Sequence, residues 1–212
     1  SNKGSESNPF KTISAAARIA QPGDVITVHE GVYREQVNPP RGGTSDDKRI
    51  VYQAAEGEQV VIKGSGIING GKKAAEGVWK VTLPNSFFGD YNPYSDVIKG
   101  EWHAHRGYPR HTGTVYLNGS WLDEARSLDQ VLPRPAGDLQ TGLKDKVLGG
   151  RAAVYPGKTA ASGAGDRLLW KAEVNAKHTT IRAQFRNVDP NKELVEINVR
   201  QTVFYPEKPG RN

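Results

Sequence analysis

The chain has 212 residues, 36% of them hydrophobic and 25% charged, with a mean hydropathy of -0.63. That balance suits a globular protein with a core of its own and excludes wholesale disorder, while no run reaches the roughly 20 apolar residues needed to span a bilayer as a helix. The net charge of +6 arises from 29 Lys and Arg against 23 Asp and Glu scattered along the chain, not gathered into the basic, aromatic-interleaved patch that nucleic acid requires.

Neither a nucleic-acid partner nor a membrane partner is therefore expected. Cysteine is absent, which removes disulfides and thiolate metal sites and leaves extracellular, periplasmic and cytoplasmic settings all compatible. Methionine is absent too. Translation begins with methionine, so the chain is expected to be a processed or excised piece, and its first residues carry no basic-then-apolar signal pattern.

In chain order, Phe10, Ile13, Ala16 or Ala17, and Ala20 fall at helical spacing behind a Thr12 or Ser14 cap, predicting one short amphipathic helix. Pro22 and Gly23 stop it near Ala20. Short β-prone runs follow at Val25–Val28, Gly31–Val37, Ile50–Gln53 and Val60–Lys63, each bounded by Gly, Pro, Asn or Asp. Their irregular spacing, with a long polar connection from Asn38 to Arg49, fits stacked solenoid coils better than a meander. The leading helix would cover the open end of such a stack.

After about Gly66 the pattern changes. Val78–Leu83 alternates cleanly, Asn118-Gly119 separates two β-prone runs and predicts a type I′ hairpin, and Leu168–Val174, Thr180–Phe185 and Leu194–Val199 add three alternating strands. This is the signature of an antiparallel sandwich, with the Gly-, Pro- and Lys-rich stretch Pro133–Gly165 as a surface excursion. Val203–Pro206 then reads as a return to the solenoid. A solenoid needs about three coils to share an interior, and only one or two are legible here, so further C-terminal coils are expected.

Certain residues carry a resemblance. Pro9–Ile13, Pro22–Glu35 and Tyr52–Glu58 resemble the N-terminal coils of right-handed parallel β-helix proteins. Leu83–Tyr94, Gly100-Glu101-Trp102, Gly113–Gly119 and Glu196–Arg200, in that order, are similar to the β-xylosidases of glycoside hydrolase family 120. The resemblance implies an all-β fold. A right-handed parallel β-helix with a short N-terminal capping helix occupies residues 1–66, an inserted antiparallel β-sandwich 67–202, and the returning, truncated helix 203–212. It further implies an oligosaccharide or polysaccharide substrate, no cofactor, catalytic carboxylates downstream of this chain, and a sugar contact by Trp102 with Glu101 beside it. A homo-oligomer is compatible with it.

Among the residues themselves, Trp102 lies between Glu101 and His103, polar company for an indole. An exposed indole can stack on a pyranose face while polar neighbours meet the hydroxyls; the plainer account is a loop anchor, as for Trp79, Trp121 and Trp170 on their strands. His103, His105 and His111 invite a metal, but a single carboxylate, Glu101, is near and no metal site is assigned. Glycoside hydrolysis needs two carboxyl groups about 5 to 9.5 Å apart. Asp123 and Glu124 are adjacent and would face opposite sides of a strand, and Glu30 and Glu35 flank the Gly31 bend. Both pairs read as ordinary surface or salt-bridged carboxylates, so no catalytic residue is assigned. The rivals to a glycoside hydrolase are a non-catalytic carbohydrate-binding or adhesion module and a polysaccharide lyase.

Overall fold

The computed structural model describes residues 4–100, 107–133 and 168–207. It is mostly β, with one short α-helix, α1 (Ile13–Ile19). Thr12 caps α1 by accepting from the Ala15 amide at 3.1 Å, and Ile13 and Ala17 bury its inner face. Charged side chains satisfy both ends: Glu35 accepts from the Ile13 and Ser14 amides at 2.9 and 2.8 Å, and Arg41 donates to the Arg18 and Ala20 carbonyls at 2.7 and 3.0 Å. An anion at the positive end and a cation at the negative end match the helix dipole.

Beyond α1 the backbone pairs in parallel. β1 (Val25–Val28) runs beside β3 (Val51–Ala54) from Val25↔Val51 to Val28↔Ala54. β2 (Gly31–Tyr33) runs beside β4 (Val60–Ile62). A third parallel contact joins Val37 to Phe204, closed by hydrogen bonds from the Val37 amide to the Val203 carbonyl and from the Tyr205 amide to the Val37 carbonyl, each 2.9 Å. Ile13, Ala17, Val28 and Val37 form the small core between these ladders, with Tyr33, Tyr52, Val60 and Ile62 packed on it.

The residues between Lys63 and Arg200 build two further sheets. β5 (Ser65–Ile67), β13 (Val195–Asn198), β8 (Val115–Leu117) and β9 (Ser120–Trp121) form one, in that spatial order; β10 (Asp123–Glu124), β11 (Leu169–Val174), β12 (His178–Gln184), β7 (Val78–Pro84) and β6 (Lys72–Ala75) form the other. Their shared core contains Phe88, Tyr94, Val115, Trp170, Ile181 and Ile197. The β8–β9 hairpin turns at Asn118 and Gly119, whose φ angles of 50° and 77° are the two left-handed positions of a type I′ turn. Asn118 also ties the turn to the start of β13, accepting from the Leu194 amide and donating to Glu193.

The antiparallel reading needs one correction. β10 pairs with β11 in parallel, because the chain crosses between sheets at the buried Leu122 and reaches β11 only after a long connection, so both strands run the same way. β5, β6 and β10 are strands that the sequence pattern does not predict. Most of the Pro133–Gly165 excursion lies outside the described residues. Of the tryptophans assigned to packing, Trp170 is 1% exposed and Trp121 is 52% exposed. The alternation breaks at Trp121 because β9 is two residues long and at the edge of its sheet.

The Trp170 ring meets Tyr94 edge-on at 5.4 Å, and its indole N–H donates to the Leu122 carbonyl at 3.2 Å, coupling the crossover to the core. Trp170→Ala should destabilise the fold by about 3–5 kcal/mol, and Trp121→Ala by no more than about 1 kcal/mol. Chemical denaturation of the two variants measures both.

Candidate functional site

Glu101 and Trp102, the expected sugar-contacting residues, lie outside the described residues, as do His103 and His105. The segments that flank them are described. Val97 and His111 form an antiparallel bridge, the Ile98 amide donates to the Arg110 carbonyl at 2.8 Å, and the Thr112 amide donates to the Asp96 carbonyl at 3.0 Å. Residues 96–98 and 110–112 thus form one paired base. The Thr112 hydroxyl meets the Tyr91 hydroxyl at 2.6 Å and donates to Asp96 Oδ2 at 3.1 Å, and the Tyr94 hydroxyl donates to the Thr114 carbonyl at 2.8 Å. Gly113 is required here: a Cβ would stand 2.7 Å from the Tyr94 ring and 3.1 Å from the Pro93 carbonyl oxygen.

Two residues singled out for other chemistries meet at this base. His111, read as a metal candidate, places Nδ1 at 2.7 Å from Glu124 Oε1, and its amide donates to Glu124 Oε2 at 2.8 Å. Lys171 reaches the same carboxylate at 3.0 Å. Glu124, half of a candidate carboxylate pair, is therefore an anchor for the returning strand. Burial by itself would raise the Glu124 carboxyl, but hydrogen bonds from the His111 side chain and backbone and from Lys171 hold it below the ordinary range. Tyr108 sits under two guanidinium groups, Arg110 at 5.5 Å and Arg126 at 5.1 Å, within cation–π range.

The second charged cluster is Glu196, 2% exposed, which meets Arg34 Nη2 at 2.7 Å, Lys63 Nζ at 3.0 Å and the Ser65 hydroxyl at 2.9 Å. Burial acts to raise this carboxyl as well, and the hydrogen bonds from Lys63, Arg34 and Ser65 outweigh it, leaving it low. Glu35 is spent on the α1 N-terminus. Glu30 is exposed, and its amide donates to Glu58; the Glu58 carboxyl is held low by that bond and by His29. Glu58, Glu124 and Glu196 are shifted in the opposite direction from a general acid, which needs a raised pKa. Among the described residues no group of three or more His, Cys, Asp and Glu is placed to hold a metal ion.

Two pairs of parallel strands beside two larger sheets, one of four strands and one of five, make this an all-β protein. Residues 68–197 match the model of the glycoside hydrolase 120 insertion domain, and the chain belongs to glycoside hydrolase family 120. Residues 1–39 match a second model, described as a protein of unknown function, DUF1565. A solved structure described as XylC in complex with xylose is 42% identical, with a TM-score of 0.82, over 99% of this chain and 31% of that one. The uncharacterized protein YwoF of Bacillus subtilis (strain 168) is 35% identical over 68 residues, 32% of this chain and 14% of that protein. The chain thus spans under a third of the length of either relative.

The two buried low-shifted carboxylates, Glu124 and Glu196, make the fold acid-sensitive in a stated window. Their contribution is complete above the ordinary carboxylate value of 4.5 and is lost as pH falls through the lowered folded values. Denaturation midpoints should drop in that acid window. Glu124→Gln should cost about 1.5–3 kcal/mol near neutrality and flatten the acid dependence; an unchanged acid slope in a Glu124→Gln, Glu196→Gln double variant would contradict the assignment.

Proposed function

We propose that this chain is the N-terminal portion of a xylosidase-like glycoside hydrolase that acts on xylo-oligosaccharides. Its division is a right-handed parallel β-helix start at 1–66, an inserted sandwich at 67–202 and a return to the helix from 203. The observation that carries this reading is the set of three parallel contacts, β1 with β3, β2 with β4 and Val37 with Phe204. In this reading each would step one coil along a stack, with the insertion between the second and third strands of the second coil. The 42% identity to a xylose-bound structure across 99% of the chain supports the substrate class.

In this reading the insertion contributes the sugar contact and later coils contribute the chemistry. Trp102 stacks on the glycone ring and Glu101 meets its hydroxyls. The proton donor and its partner carboxylate belong to downstream coils, which also cover the open edges of β3 and β4. The carboxylates buried in this chain support that division: Glu124 is paired with Lys171, and Glu196 with Arg34 and Lys63, which suits anchoring, not proton transfer.

The test is hydrolysis of an aryl β-xyloside. The 212-residue chain should give no turnover above background, and a polypeptide continued through the following coils should turn it over. In the longer form, Trp102→Ala should raise KM by about tenfold or more, the loss of one stacked ring. Enzyme-like turnover by the isolated chain would place the catalytic groups here and overturn the proposal. Specific binding of xylo-oligosaccharides by a longer form that never hydrolyses them would favour the binding-module alternative, and unsaturated products from uronate polymers would favour the lyase.

A further inference from the structure

Arg34 and Lys63 immediately follow the paired residues Tyr33 and Ile62, and the Lys63 amide donates to the Tyr33 carbonyl at 2.8 Å. Two cations are thereby stacked on neighbouring parallel strands, which lie about 4.8 Å apart. Like charges in that relation repel. A third cation, Arg200, stands at the same junction, with Nη1 3.4 Å from the Ser65 carbonyl. The compensating carboxylate comes from the insertion: Glu196, on β13, binds both Arg34 and Lys63 and also accepts from Ser65 on β5.

The cluster sits where the chain passes between the coils and the insertion. The connecting segments cross there side by side, with the Val199 and Arg200 amides both donating to the Gly64 carbonyl at 3.2 Å. Two short peptide crossings alone would leave a hinge, since such linkers absorb rotation readily. A carboxylate 2% exposed, with ligands from both bodies, removes that freedom: rotating the insertion would strand a buried anion and return two cations to each other.

We infer that Glu196 is a positioning residue, which acts through Arg34 and Lys63 to hold the inserted sandwich at one angle on the coil stack and so aims the paired base at Val97 and His111. Buried ion clusters are weak sources of net stability and can be replaced by apolar groups at little cost. What the cluster supplies here is orientation. Its relevance to sugar binding rests on the function proposed above.

Because the chain has no cysteine, two introduced cysteines label it uniquely. Nitroxides at Glu56→Cys in the coils and Ala176→Cys in the insertion, both exposed positions, report the inter-body distance by pulsed electron resonance. The parent chain should give one narrow distribution. Glu196→Gln should broaden it by about twofold or split it, as should a triple variant, Arg34→Met, Lys63→Met and Glu196→Leu, designed to keep the junction packed without its charges. Near-ultraviolet circular dichroism from the sandwich aromatics should be retained in both variants.

A distribution as narrow as the parent's in the folded triple variant overturns the inference. In the longer polypeptide, Glu196→Gln should raise KM for an aryl β-xyloside by about tenfold while kcat changes less than about threefold. A broadened distance with an unmoved KM would sustain the orienting role and overturn the sugar reading of the insertion.

Discussion

Val37 and Phe204 are far apart in sequence, yet their backbones pair in parallel as neighbours. Bringing the ends of a long flexible loop together carries an entropic cost that rises with loop length, and one parallel bridge is a weak return for it. The cost is met inside the insertion. β5 and β13 pair antiparallel, so the sandwich presents its own two ends side by side. The pairing of β5 with β13 therefore shortens the effective loop between Val37 and Phe204 and lowers the cost of closing it.

That arrangement explains how energy is divided across the molecule. The insertion has the larger core, organised by Trp170, Tyr94 and Phe88 and shared between two sheets. The parallel-paired strands have a smaller one, in which Ile13 and Ala17 of the helix lie on Val28 and Val37. Two rungs cannot enclose an apolar interior alone, and Val25, Val32 and Val51 remain exposed. The helix cover, both of whose ends are tied by Glu35 and Arg41 of the coils, and the Phe204 ring edge-on to Tyr52 at 5.0 Å complete what is present.

The readable parts of the sequence were those whose physics is local. The helix cap, the Pro22-Gly23 stop and the Asn118-Gly119 turn each act within a few residues; the cap, open between Thr12 and Ser14 in the sequence, falls at Thr12, and the stop and the turn stand as read. β5 and β6 escaped because Ser65–Ala75 is rich in Gly, Asn and Lys; their pairing comes from the neighbours β13 and β7, not from strand propensity. β10 escaped because two acidic residues carry no periodicity. The charge clusters were invisible for a different reason. Glu196 lies more than a hundred residues from Arg34 and Lys63, and in the sequence His111 suggests a metal ligand and Glu124 a candidate acid, with nothing to link the two. Only the fold brings them together.

The proposed closed coil around an inserted sandwich is tested most directly by hydrogen exchange at the Val37 and Tyr205 amides, which carry the third parallel contact. The account predicts that both exchange slowly and at rates comparable to the Val51 amide, which bonds the Asp24 carbonyl in the first ladder. If Tyr205 exchanged at the rate of an unstructured peptide while Val51 stayed protected, the chain would not return to the stack and the account would fail.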